Sequence, residues 1–98
     1  MRTYILLSTL SPQGLQTLKA TPERLFEVNR EIEAHGARVV HQWALLGPYD
    51  FLSVLEAPDE LAMANVATAL SSRGTVKTLT LTAIPVEDFI DRLKSSPG

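Results

Sequence analysis

The fold is decided by a turn between two apolar runs, Ala44-Leu45-Leu46-Gly47-Pro48-Tyr49-Asp50-Phe51-Leu52. Gly47 and Pro48 are typical of tight turns. Apolar side chains occupy both flanks of the turn, and several of them alternate with polar ones, which is the pattern of strands. The stretch therefore predicts an antiparallel hairpin with strands at residues 38–46 and 50–56.

The length of the loop decides which side chains of this hairpin face each other, because a shift of one residue exchanges the two faces of a strand. A loop of three residues places Trp43 opposite Ser53 and His41 opposite Leu55. A loop that is one residue longer places His41 opposite Glu56. The sequence leaves both registers open.

One long helix is predicted on each side of the hairpin. The first begins at Thr21-Pro22-Glu23, where a hydroxyl, a proline and an acid suit a helix N-terminus. It ends at Gly36, since glycine adopts the left-handed conformation that closes many helices. The second begins at Pro58-Asp59-Glu60 and ends at Gly74 by the same rules. A helical turn at residues 15–20 precedes the first of these helices.

Two further strands and a terminal helix complete the pattern. The strand at residues 3–10 is largely apolar on both faces, and the strand at 75–83 alternates threonines with leucines. A short helix follows Pro85, and its apolar residues are expected to face inward: Val86, Phe89, Ile90 and Leu93.

The order β-α-β-β-α-β with short connections predicts an α+β fold of the ferredoxin-like type. This is a four-stranded antiparallel sheet with both long helices on one face, plus the short C-terminal helix. Residues 1–94 are expected to form one domain and residues 95–98 a frayed tail. The uncovered sheet face is expected to be too apolar to lie in water, so at least a homodimer is predicted. A set that this face would carry is Tyr4, Leu6, Trp43, Phe51 and Thr80.

Composition excludes several classes of function. The 98 residues contain nine Lys and Arg against eleven Asp and Glu, without a basic stripe, so nucleic-acid binding is not expected. The absence of cysteine excludes disulfides and thiolate metal sites, and fits a cytoplasmic protein. His35 and His41 lie on different elements and do not form a metal motif. No metal, cofactor or membrane contact is expected.

The hairpin resembles the signature of the GYD-domain family, here in the form Leu46-Gly47-Pro48-Tyr49-Asp50 followed by Glu56-Ala57-Pro58-Asp59. Pro48 makes the motif Gly-x-Tyr-Asp. The resemblance covers nearly all of residues 3–90 and implies a small protein of the dimeric α/β-barrel type, with no assigned chemistry. Other matching stretches are Leu7-Ser8-Thr9-Leu10 with Pro12 and Gly14, Pro22-Glu23-Arg24, Ser72-Arg73-Gly74-Thr75-Val76-Lys77-Thr78, and Ala83-Ile84-Pro85.

The same hairpin is similar to that of the effector domain of leucine-responsive (Lrp/AsnC-type) regulators. That resemblance implies small amino acids bound between the subunits of an oligomer. No helix-turn-helix arm precedes the first strand, so it implies a stand-alone sensing module.

The first hypothesis is accordingly a binding or regulatory module that holds a small organic ligand between subunits, near residues 47–50. Asp50 could bind a ligand amine, or could accept backbone amides and fix the turn. Tyr49 could donate to a ligand, or could pack on a neighbouring strand. The candidate ligand-binding residues are Tyr49, Asp50, Trp43, Tyr4 and Thr80, with Ser8 and Thr78 on the polar strand faces.

Two other hypotheses remain open. A cofactorless enzyme of the oxygenase or isomerase type would use His41 as a base and Trp43 as a stacking platform, and would need an enclosed pocket within reach of His41. A ligand-free oligomeric scaffold would show neither such a pocket nor polar groups converging at a subunit interface around Asp50. The sequence does not name a reaction.

Overall fold

A computed structural model describes residues 1–97. Along these residues the chain forms, in order, β1 (Arg2–Leu10), α1 (Pro12–Ala20), α2 (Arg24–Ala34), β2 (Arg38–Ala44), β3 (Phe51–Ala57), α3 (Glu60–Ser71), β4 (Val76–Ala83) and α4 (Val86–Lys94). The strands make one antiparallel sheet in the order β2-β3-β1-β4. The predicted ferredoxin-like α+β fold is confirmed.

The register of the hairpin differs from both predicted registers. His41 pairs with Val54 and Trp43 with Leu52, and the ladder is irregular between Val39 and His41. The extra residue at this bulge is Val40, so Val39 and His41 lie on opposite faces although they are two positions apart. Regular alternation would have put them on one face. The bulge lets Val39 pack toward the helices while His41 points away from them.

The helices begin and end close to the predicted positions. The Asp59 carboxylate accepts from the Ala62 N–H at 2.9 Å and caps α3. Gly36 takes a φ of 93° just after α2, as the sequence predicts. The start of α2 is less regular than expected, because Thr21 and Arg24 form a backbone-bonded turn and the helix begins at Arg24.

The helix α1 is longer than the single turn predicted at residues 15–20. It begins at Pro12, because the Ser11 hydroxyl accepts from the Gly14 N–H at 3.1 Å and proline suits the first helical position. The Ser11 N–H also donates to the Thr75 carbonyl at 2.9 Å, which ties the start of α1 to the chain entering β4.

The hydrophobic core lies between the sheet and the helices. The prediction for the uncovered face is wrong for four of its five members, since only Trp43 lies there. Tyr4 and Leu6 are core residues. Phe51 pairs with Ser8 and Thr80 pairs with Leu6, so Phe51 and Thr80 also lie on the helix-covered side. The reason is that β1 is apolar on both faces, so its alternation does not say which face meets the helices. The core residues are Tyr4, Leu6, Ile32, Ala37, Leu55, Ala57, Met63, Val66 and Leu70.

The uncovered face is nonetheless apolar, as expected. On β4 the threonines point toward the helices, while Leu79 and Leu81 point away and stay 43% and 45% exposed. The same face carries the apolar residues that follow these two leucines across β1 and β3, which are Ile5, Leu7, Leu52 and Val54.

The prediction that the apolar side of α4 packs inward is wrong. No residue of α4 is buried, and its apolar side chains are 42–63% exposed. The longest dimension of the chain is 56 Å and its radius of gyration is 15.4 Å, against about 13 Å for an ordinary domain of this length. The helix therefore projects from the domain. Of the predicted tail, residues 95–97 follow α4 and Gly98 lies outside the described residues.

Candidate functional site

The hairpin loop is held against the end of β1. The Asp50 carboxylate accepts from the Leu10 N–H at 2.8 Å, and the Asp50 N–H donates to the Ser8 carbonyl at 2.8 Å. The Leu45 N–H donates to the Asp50 carbonyl, also at 2.8 Å, and closes the loop. Asp50 thus has the turn-fixing role that its position allows, and its carboxylate, N–H and carbonyl all form hydrogen bonds within the chain.

The tip of the loop carries a fully exposed leucine. Leu46 is as accessible as in an extended chain, while Tyr49 is half-buried beside Asp50. An apolar side chain on a loop that the sheet holds in place is an arrangement suited to contact with another molecule.

His41 and Trp43 lie together on the uncovered sheet face. Their rings stack with centroids 5.5 Å apart and planes 26° from parallel. Trp43 is 52% exposed. Neither residue lines the two cavities described below, both of which lie on the helix-covered side of the sheet. The enzyme hypothesis requires an enclosed pocket within reach of His41, and these two cavities do not supply it.

Tyr4 and Thr80 lie on the opposite face of the sheet from Trp43. Tyr4 is 1% exposed, and its buried hydroxyl has no hydrogen-bond partner within the described residues. Both residues line a shallow cavity of about 210 Å³ between the sheet and α3. The five predicted ligand-binding residues are thus divided among the hairpin, the uncovered face and the helix-covered face, and one protomer does not bring them together.

A larger cavity was not predicted from the sequence. It measures about 250 Å³ and lies between the sheet and the helices α1 and α2, beside the C-terminal end of α3. The signal that could have indicated it is a pair of polar residues, Gln42 and Ser53, on the inward faces of β2 and β3. Gln42 exchanges two hydrogen bonds with Asn29, at 2.9 and 3.1 Å, and donates to the Ser53 hydroxyl at 2.9 Å. Of the two predicted polar-face residues, Ser8 lines this cavity, whereas the Thr78 hydroxyl contacts Ser71 at 3.3 Å.

Two arginines also line this cavity. Arg24 pairs with Glu27 at 2.6 Å within α2. Arg73, after α3, pairs with Glu31 of α2. The second ion pair bridges the gap between the two helices, as does the hydrogen bond from Asn65 to His35 at 3.1 Å. Polar bridges therefore join the C-terminal part of α2 to α3, and one of them includes Arg73, which lines the cavity.

Within residues 1–97 there is no group of three or more His, Cys, Asp or Glu side chains arranged to hold a metal ion. Over the same residues, no helix is both long and apolar enough to cross a membrane.

Comparison with known proteins identifies the family. The model of the GYD domain matches residues 4–93. The chain belongs to the GYD-domain family. The resemblance seen at the hairpin is therefore confirmed for the GYD domain, over nearly the whole chain.

One relative of this GYD-domain chain is similar along its full length. The glutamine synthetase and cystathionine beta-lyase binding protein of Thermus thermophilus is 56% identical over 95 residues, which are 96% of this chain and 100% of the relative. A solved structure, that of TTHA0845 from Thermus thermophilus, is 23% identical with a TM-score of 0.57, over 87% of this chain and 95% of the other. The latter supports the fold alone.

Proposed function

We propose that this GYD-domain protein is a binding module whose partners are metabolic enzymes, with glutamine synthetase and cystathionine beta-lyase as the first candidates. The observation that carries the proposal is the 56% identity to a protein named for binding these two enzymes, which extends over that protein's whole length. A surface that binds another protein needs exposed apolar groups on a rigid support, and the hairpin supplies them.

The hairpin tip is the surface proposed to contact the enzyme. Leu46 presents a complete apolar side chain to solvent, and the hydrogen bonds of Asp50 to β1 hold the loop in place. A loop that is already ordered loses little conformational freedom on binding, so more of the contact energy appears as affinity. Tyr49, in the same loop, would extend this contact.

A second copy of the chain is proposed to cover the uncovered sheet face. Two sheets pack face to face at a spacing of about 10 Å when both present apolar side chains. Leu79 and Leu81 of this face are more than two-fifths exposed in the protomer, and the stacked pair of His41 and Trp43 lies at its β2 edge. Burying each such leucine would contribute about 1–2 kcal/mol.

The helix α4 supports the same proposal. It carries an apolar side and a charged side, and within residues 1–97 the apolar side stays about half exposed. Phe89 and Ile90 are 54% and 42% exposed. A partner subunit stacked on the sheet would offer α4 an apolar surface to pack on.

The test is binding to the two purified Thermus thermophilus enzymes, measured by surface plasmon resonance with the wild-type chain immobilised. We expect saturable binding to at least one of the two. Leu46→Asp should weaken it at least about tenfold, equivalent to about 1.4 kcal/mol. The matched control is Leu61→Asp, since Leu61 is also a largely exposed leucine (81%) but lies in the first turn of α3.

The experiment tests the enzyme-binding function and the role of the hairpin tip separately. No binding to either enzyme at tens of micromolar would contradict the enzyme-binding function. Unchanged binding by Leu46→Asp, with a functional wild type, would retain the function and exclude the hairpin tip as the contact surface.

A further inference from the structure

We propose that the cavity of about 250 Å³ beneath α2 binds a small, mostly apolar molecule that carries one hydrogen-bond-accepting oxygen, a carbonyl or a carboxylate. This goes beyond the enzyme-binding function and does not depend on it. The site lies on the helix-covered side of the sheet, whereas the hairpin tip lies outside it.

The walls of the cavity are suited to an apolar body. They come from the sheet, α1, α2 and the end of α3. Cavities lined by aliphatic side chains and as small as about 150 Å³ stay dry and admit molecules of benzene size. A volume of about 250 Å³ approaches the lower end of ordinary small-molecule pockets, about 300 Å³. The apolar walls are formed by Leu6, Leu25, Val28, Ile32, Phe51 and Leu70.

Two serine hydroxyls on the floor of the cavity are placed to recognise an oxygen. Leu6 pairs with Ser53 and Ser8 pairs with Phe51, so Ser8 and Ser53 are diagonal neighbours on one face of adjacent strands. The backbones of such neighbours are roughly 7 Å apart and their side chains are closer, so both hydroxyls belong to the same part of the floor. Ser53 is 2% exposed and Ser8 is 9% exposed. Serine is uncommon at such buried positions, because burying a hydroxyl without a hydrogen-bond partner costs free energy.

The hydrogen bonds around these serines leave donors for a ligand. Ser53 accepts from the Gln42 amide, so its own proton is available to donate. Ser8 lines the same cavity, and its hydroxyl is a second group that can donate. Gln42 is fixed in this orientation by its two hydrogen bonds to Asn29. The floor therefore holds its hydrogen-bond donors in fixed positions before any ligand binds, and this favours a ligand with an accepting oxygen.

The charged side chains that line the cavity are Arg24 and Arg73, and each is already paired with one glutamate. Such pairs carry no net charge, so the preference for an accepting oxygen rests on the hydroxyl donors of the floor.

The experiment is an NMR titration of the isotopically labelled protein with three probes that share a phenyl group: phenylacetate, phenylacetone and propylbenzene. We expect amide shifts at residues 8, 28 and 53 on adding either oxygen-bearing probe, with no shifts at residue 46. Propylbenzene should bind more weakly by about threefold to tenfold, the range that one hydrogen bond supplies. The paired substitution Ser8→Ala and Ser53→Ala should remove that difference.

Two variants control the assignment. Val28→Trp should fill the cavity and abolish the titration. Thr80→Val alters the same sheet face outside this cavity and should leave all three affinities unchanged. If Val28→Trp does not fold, the shifts of the wild-type protein still locate the probes.

Three results would overturn the proposal: no shifts with any probe up to its solubility limit, shifts confined to residues outside the cavity, or equal affinity for phenylacetone and propylbenzene in the wild-type protein. Because no enzyme partner is present, none of these results bears on binding to glutamine synthetase or cystathionine beta-lyase. A difference between phenylacetate and phenylacetone would assign the head group as carboxylate or carbonyl.

Discussion

The Asp50 carboxylate lies 2.8 Å from the Leu10 backbone nitrogen, although the two residues are forty positions apart. This hydrogen bond satisfies an amide at the end of β1, beyond Ser8, the last residue of β1 that pairs with β3. It also joins the β2–β3 hairpin to the central strand β1. The carboxylate therefore adds to the two backbone hydrogen bonds of Asp50 that hold the loop proposed to contact the partner enzyme.

Replacing Asp50 with alanine should lower the free energy of unfolding by about 1–3 kcal/mol, because it leaves a part-buried amide without its acceptor. Asp50→Asn keeps an acceptor of similar shape and should lose less. Urea denaturation followed by circular dichroism measures both. Equal stabilities for the alanine and asparagine variants would show that the hydrogen bond does not hold the loop.

Tyr4→Phe should leave stability unchanged or raise it. The Tyr4 hydroxyl is buried and lacks a hydrogen-bond partner within the described residues, so its removal relieves a desolvation cost. The thermal midpoint by calorimetry is the readout. A loss of more than about 1 kcal/mol would mean that the hydroxyl has a partner in solution, such as an ordered water.

Gly14→Ala should destabilise the protein although alanine favours helices. A Cβ at this position would lie 2.5 Å from the Thr75 carbonyl oxygen, so α1 and the entry to β4 would have to separate. Overpacking of this kind costs about 1–3 kcal/mol. Gln13→Ala, an exposed neighbour in the same helix, is the control and should have little effect on the urea midpoint. Equal midpoints for the two variants would contradict the close contact.

Leu81→Asp should convert an oligomer to monomers in multi-angle light scattering. The proposal places this side chain between two sheets, where an unpaired carboxylate would be buried. Leu61→Asp changes an exposed leucine on the helix-covered side and should leave the assembly intact. A wild-type chain that is already monomeric at tens of micromolar would exclude the second copy as the cover of this face.

Much of the architecture could be predicted from short-range patterns. The helix start at Pro58-Asp59-Glu60, the helix end at Gly36 and the Gly47-Pro48 turn each depend on the chemistry of a few neighbouring residues, and each is found close to its predicted position. The sequence pattern underestimates the extent of α1 because its Ser11 cap and Pro12 start resemble an ordinary strand end.

The candidate site was less predictable. The sequence pattern groups Tyr4 and Thr80 with Trp43 on the assumption that they share a sheet face, and the structure puts them on opposite faces. The cavity with its two serines escapes prediction because Ser8, Ser53 and Gln42 come from three strands. Their meeting depends on strand order and register, which no local pattern contains.

The sequence by itself determined the identity and order of the strands and main helices, and with them the ferredoxin-like fold, because hydrophobic period and capping act within a few residues. Only the tertiary structure decided which face of the sheet meets the helices. The strand β1 is apolar on both sides, and a bulge at Val40 exchanges the faces of β2 partway along its length. Packing of α2 and α3 over Tyr4 and Leu6 resolves that ambiguity, and it leaves Leu79, Leu81 and α4 without a cover in the single chain.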